Sequence, residues 1–345
     1  MSLLNRESNY LARTQLFKHL TIFATADPDP LQRIRDACAF LAQERNSCLV
    51  QHLTIDVQRG LGTSEQDKRV VLEQLFASCG LLRRVTSLSI LLPPSLRVMN
   101  ATDRPLLIQA LSATIFPLLK EFSINVTNLS GLDQFWADHP TLMTLRVLDP
   151  LPFNIIGLSS PLPRRLPFLT RVELHSDVQS RVIEGCAVTD LHLHKMNSNH
   201  PFHLVANLST CTATIERFTF GDIRIPRGPD IPCVNRAPSA LYTHILPQLP
   251  RLQYLCIIDW LPDGICYSGR RKVALSALAS MDCLQVFEWR GNIPRSVQAA
   301  FLDSRCCTAL REVSFEFRLG EHIELAKYTR MGTEDAWEEL QRVRR

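Results

Sequence analysis

Glycine is scarce in this chain, with 13 residues in 345. None of them belongs to a G-x-x-x-x-G-K-[ST] or G-x-G-x-x-G loop, so no backbone cradle for phosphate is encoded. There is no G-x-S-x-G elbow, no recognisable catalytic-cysteine motif and no C-x-x-C pair; Cys306 and Cys307 are adjacent, too close to chelate one ion comfortably. No apolar run approaches the roughly 18 residues that a membrane helix needs. The opening Met1-Ser2-Leu3-Leu4-Asn5-Arg6-Glu7 lacks the apolar core of a signal peptide. Neither charge dominates: 38 basic against 34 acidic residues leave +4. The short basic groups Arg83-Arg84, Arg164-Arg165 and Gly269-Arg270-Arg271-Lys272 read as solvated edges rather than a nucleic-acid face. An enzyme is therefore not expected, nor a cofactor, a nucleic-acid partner or a membrane.

What the chain does have is apolar content. At 46% hydrophobic and 21% charged residues it can bury a large core. Its eleven cysteines are odd in number and irregularly spaced, and Cys38, Cys186, Cys256 and Cys283 fall inside apolar patterns, where a thiol packs as a small hydrophobe. A reducing cytoplasmic or nuclear location is the expectation. The Asn-x-Ser/Thr triplets at Asn100, Asn125, Asn128 and Asn207 then read as chance matches.

One pattern recurs from end to end. In Leu252-Gln253-Tyr254-Leu255-Cys256-Ile257 the first, fourth and sixth residues are apolar. The same spacing starts at Phe17, Val50, Val85, Leu119, Leu142, Leu169, Val188, Ile215, Leu252, Leu284 and Leu310, eleven copies in all. Within each copy an apolar–polar–apolar alternation marks a short strand with one face inward. Successive starts lie 19 to 37 residues apart, and the intervening segments must carry the chain back to the same edge. Helical periodicity predicts such returns over Leu31–Glu44, Glu65–Ser78, Arg104–Leu118 and Gly269–Ser280, with Pro105 in a first turn. Between Leu142 and Ile215 several prolines predict loops or single turns, and Pro226–Pro238 reads as a surface loop. The charged segment 321–345 shows Trp337, Leu340 and Val343 at helical spacing and reads as a C-terminal capping helix or tail.

A strand and a helix of this size cannot bury themselves alone, so copies must stack into a shared core. The expected fold is α/β: a solenoid with a parallel concave sheet and outer helices or loops. This pattern resembles the leucine-rich repeat, in its irregular ribonuclease-inhibitor-like or F-box-associated form, over residues 17–320. The chain departs from that family in lacking a regular Asn or Cys after the sixth position; Asn125 and Asp56 come nearest. The string Asn9-Tyr10-Leu11-Ala12-Arg13-Thr14-Gln15-Leu16-Phe17 looks like the passage from an F-box into the first strand of fungal F-box/leucine-rich-repeat proteins. Residues 1–16 are then an F-box remnant, or simply an N-terminal cap, because the Leu-Pro-x-Glu opening and most of the earlier F-box helices are missing. The resemblance implies a horseshoe that holds a protein substrate on its concave face. It also implies a cullin ubiquitin ligase, reached through an adaptor that docks on the F-box.

The fifth residues of the copies (Thr21, Thr54, Ser89, Ser123, Arg146, Glu173, His192, Thr219, Cys256, Glu288 and Ser314) are expected to line that face. Arg146, Glu173, His192, Thr219 and Glu288, with neighbouring Trp260 and Arg290, are the candidate partner-binding residues. Trp260 has an alternative role, packing under the Leu261-Pro262 turn. The densest ligand-like group is His192, His194, His200 and His203, near Cys186 and Cys211. It reads either as a zinc cluster or as histidines exposed on the sheet, and no metal is expected. Three functions follow in order: an F-box-like substrate-recognition subunit, a free-standing repeat scaffold, and a metal-dependent hydrolase.

Overall fold

Alternation of apolar and polar residues decides the backbone here. Leu53 and Ile55 are buried while His52, Thr54 and Asp56 between them are not, and the same parity recurs in copy after copy. The computed structural model describes residues 3–23, 30–57, 73–92, 104–126, 131–148, 166–196, 202–221, 240–259, 276–291, 298, 302, 309–319, 322–330 and 337–344. The chain divides into two compact units, Met1–Leu169 and Thr170–Arg345.

In the first unit α1 (Leu3–Phe17) leads into β1 (His19–Phe23), followed by α2 (Pro30–Leu41), α3 (Glu44–Ser47) and β2 (His52–Asp56). A helical segment at 73–79, β3 (Ser87–Leu91), α4 (Arg104–Ser112), β4 (Glu121–Ile124), α5 (Asp133–Asp138) and β5 (Thr144–Val147) complete it. The strands lie in chain order and every neighbouring pair is parallel.

The second unit continues the alternation with β6 (Arg171–Ser176), a 3₁₀ turn at Asp177–Ile183, β7 (Asp190–Lys195), α6 (Phe202–Thr210) and β8 (Arg217–Phe220). Short π and 3₁₀ turns at Leu241–Ile245 and Leu246–Gln248 precede β9 (Tyr254–Asp259). Then come helical residues 276–279, β10 (Val286–Gly291), β11 (Glu312–Leu319), β12 (His322–Arg330) and β13 (Trp337–Arg344). Strands β6 to β11 are parallel in chain order, while β12 and β13 join antiparallel.

Each hexapeptide supplies the strand expected of it, and the register aligns like positions. Thr21 pairs with Thr54, Thr54 with Ser89 and Ser123 with Arg146; in the second unit Glu173 pairs with His192, Thr219 with Cys256 and Glu288 with Ser314. A repeated backbone device holds this register. The amides of the second and third residues of one copy both donate to the carbonyl of the second residue in the copy before. Examples are Gln51 and His52 on Lys18 (3.0 and 2.9 Å) and Gln285 and Val286 on Gln253 (2.9 and 3.0 Å). Both lone pairs of that oxygen are used, and a one-residue slip would break both bonds as well as turn the core face outward.

The core carries one more apolar position than the hexapeptide defines. Three residues before the first position, Leu82, Phe116, Leu166, Leu249 and Met281 are buried in five copies, with His139 in the same place in a sixth. Here the chain closes a turn onto the first residue, as in Leu119 N–H to Phe116 O (3.0 Å) and Leu252 N–H to Leu249 O (3.1 Å). The asparagine expected after the sixth position is met once among the described residues. Buried Asn125 accepts the Leu92 amide at 2.6 Å and donates to its carbonyl at 3.1 Å.

Several expectations change on inspection. Helix α4 stops at Ser112 instead of Leu118, because Pro117 disfavours helix at Phe116 and the Thr114 hydroxyl turns back to the Ala110 carbonyl (2.8 Å). The predicted helices at 65–78 and 269–280 are described only over 73–79 and 276–279, and the Pro226–Pro238 loop lies outside the described residues. In the middle, where loops or single turns are expected, Asp177–Ile183 is a longer 3₁₀ helix of 7 residues, capped through Gln179 Oε1, which accepts from the His175 amide at 2.9 Å; α6 was not anticipated either.

The largest correction concerns 321–345, whose described residues form two strands and no helix. The register steps past Leu340, from Tyr328↔Glu339 to Lys327↔Gln341, so Leu340 is the extra residue of a β-bulge and stands exposed. The bulge breaks strict alternation in β13, and the spacing of Trp337, Leu340 and Val343 imitates a helix. No helix among the described residues is long and apolar enough to cross a membrane.

Candidate partner-binding face

With the fourth and sixth residues turned into the core, strand geometry sends the third, fifth and seventh to the opposite side of the sheet. In the first unit this face is mild in character. His19 and His52 stack at 4.3 Å between ring centres, Thr21, Thr54 and Ser89 follow, and Ser123 is buried. Half-buried Arg146, opposite Ser123, brings positive charge to its last strand.

The second unit is more highly charged. Arg171 and Arg217, with half-exposed side chains, flank Asp190 on β7; their Nε atoms lie 3.6 and 3.9 Å from Asp190 Oδ2. Arg217 also lies over the Tyr254 ring at 4.0 Å. Further along, Arg290 reaches Glu288 at 2.8 Å and Glu316 at 3.8 Å, and Lys327 reaches Glu312 at 2.8 Å. Cation and anion alternate across neighbouring strands, which keeps the charged rows mutually attractive.

Between these rows sits a histidine group. His194 Nε2 and Glu173 Oε1 are 2.7 Å apart, and His192 Nδ1 is 3.8 Å from the same oxygen. The two imidazoles stack at 4.4 Å with their planes 16° apart. His192 Nε2 lies 2.8 Å from the Gly221 carbonyl oxygen. Burial, and then the neighbouring His194, pull the His192 pKa down to about 4. Among the described residues, Glu173, His192 and His194 offer one donor atom each, all within 4.8 Å of one another.

Not every expected residue is available to a partner. His192 and His194 are each 3% exposed, so the expectation of histidines standing out on the sheet is corrected: the stacked rings and Glu173 cover one another. Cys256, on the same row, is also buried, and burial pushes its thiol up to about 12. Thr219 is half-buried between them, and Glu173, Glu288 and Arg290 keep part of their side chains in solvent. Trp260 lies outside the described residues, as does His200. His203 is exposed on α6, and the Cys186 and Cys211 thiols hydrogen-bond backbone carbonyls, with burial raising each to about 11.

Gly221 was overlooked in reading the sequence. It follows β8 at φ +109°, a region that favours glycine, and a Cβ there would fall on the Ile258 carbonyl oxygen. The signal was available: in a glycine-poor chain, a lone glycine just past the Phe218-Thr219-Phe220 strand marks a close backbone approach. Comparison of the chain with protein-family models and with curated proteins finds no match.

Proposed function

We propose that the protein is a non-enzymatic interaction module: a leucine-rich-repeat solenoid whose polar sheet face holds a protein partner, in the manner of the substrate-recognition subunit of an F-box ubiquitin ligase. The observation that carries this reading is the row Arg171–Asp190–Arg217. Two half-exposed guanidinium groups share one carboxylate, which leaves positive charge and free donor capacity directed at solvent. A protein segment bearing acidic side chains is the matching partner. Copies in register, each adding a third-, fifth- and seventh-position side chain, supply the extended surface that repeat proteins use for binding.

Affinity purification of the full chain, followed by mass spectrometry, tests the reading. Exchange of Arg171→Glu together with Arg217→Glu is expected to lower partner recovery at least tenfold, and an unchanged partner set would overturn it. Recovery of a cullin and its adaptor is expected for the ligase role. Their absence, with other partners retained, favours the free-standing scaffold.

A further inference from the structure

The contacts around Glu173 present a problem of lone pairs. His192 Nε2 points to the Gly221 carbonyl at 2.8 Å, so that nitrogen carries the ring proton and Nδ1 is an acceptor. This acceptor faces Glu173 Oε1, another acceptor, at 3.8 Å. The same oxygen already takes the His194 Nε2 proton at 2.7 Å. Pairing Glu173 with His194 accounts for one imidazole only. The second, stacked 4.4 Å from the first, directs a lone pair at a carboxylate with no proton of its own between them.

A cation at this point resolves the conflict. We propose that Glu173 on β6 and His192 and His194 on β7 form a zinc site of two imidazoles and one carboxylate. Its fourth position opens on the solvent side of Glu173, whose side chain is 15% exposed. Ligand atoms about 2.0–2.2 Å from zinc stand about 3.3–3.6 Å apart in a tetrahedron. The Glu173 separations of 2.7 and 3.8 Å lie on either side of that range, and binding would tilt the two stacked rings apart so that both in-plane lone pairs meet at the ion. Protons balance without loss: His194 exchanges an Nε2 proton for one on Nδ1, Glu173 binds as the carboxylate and His192 keeps its Nε2 proton.

The surroundings of His192 match those of a ligating histidine. A backbone carbonyl on the far nitrogen fixes both tautomer and ring plane, as Gly221 does for His192. The ion would bridge β6 and β7 and, through His192 and Gly221, tie both to the end of β8. Imidazole and carboxylate together suit zinc better than magnesium or calcium, which prefer oxygen alone.

The test uses the full chain stripped with a chelator, titrated with zinc chloride by calorimetry and with cobalt(II) by visible absorption. Saturable binding of one equivalent is expected, with a cobalt d–d spectrum and no thiolate charge-transfer band. Glu173→Gln and His194→Gln are each expected to weaken binding at least tenfold while circular dichroism stays unchanged. Glu173→Gln keeps a hydrogen-bond acceptor beside His194, and it decides the matter if His194→Gln fails to fold. Absence of saturable binding, a thiolate band, or wild-type affinity in Glu173→Gln would overturn the proposal.

Discussion

His139 holds its ring between two backbone groups, with Nδ1–H on the Phe135 carbonyl at 2.6 Å and Nε2 receiving the Phe116 amide at 2.9 Å. Only a neutral imidazole can make both bonds. Burial lowers its pKa below 6.5, whereas the unfolded chain keeps the ordinary value and takes the proton first. Its contribution is therefore complete above about pH 6.5 and lost as pH falls from there through the lowered folded value. Melting temperatures of the wild type should drop on acidification from about pH 7 to about pH 5, and His139→Leu should narrow that difference while lowering stability at pH 7. Glycines offer a second comparison at this scale. Gly221→Ala must displace the Ile258 backbone and is expected to cost more than about 2 kcal/mol in urea unfolding. Gly185→Ala, at φ +70° with open space around it, should cost only about 1–2 kcal/mol.

Strands were the legible elements, because a period of two survives in eleven short segments and each brings its own apolar pair. Leu255, fully buried at a fourth position, should cost about 2–5 kcal/mol when replaced by Ala, read from the shift in urea midpoint. Leu340→Ser should change stability by no more than about 0.5 kcal/mol, since the bulge leaves that side chain outside. A helix with Leu340 on its buried stripe would have predicted the opposite. The returns were harder to read. Pro117 and the Thr114 hydroxyl cut α4 short by local chemistry that periodicity does not register, and α6 hid in a stretch where prolines argued for loops. The buried turn residue before several copies also escaped notice, because its occupants range from Leu to Phe, Met and His with no common side chain.

At the scale of the molecule, the thiols behave as core and surface rather than as bonds. Iodoacetamide at neutral pH should label Cys48 and Cys283, which are exposed, and spare Cys79, Cys186 and Cys256 until the protein is denatured, as peptide mass spectrometry would show. The candidate face was legible as a set of positions: spacing placed Glu173, His192, Thr219 and Glu288 on one side of the sheet. It could not tell which of them solvent reaches, since that depends on the size of residues one strand away. His192 lost its exposure to Glu173 and His194, while Arg171 and Arg217 kept theirs.

The antiparallel pair β12 and β13 has a bearing on assembly. A run of parallel strands presents at its last member a row of amides and carbonyls that another molecule could adopt. Here β13 is last in strand order, bent by its bulge and lined outwardly by Glu338, Glu339, Gln341 and Arg342. An incoming strand would meet charged side chains and a kinked template, so filament growth along β13 is discouraged by its own residues.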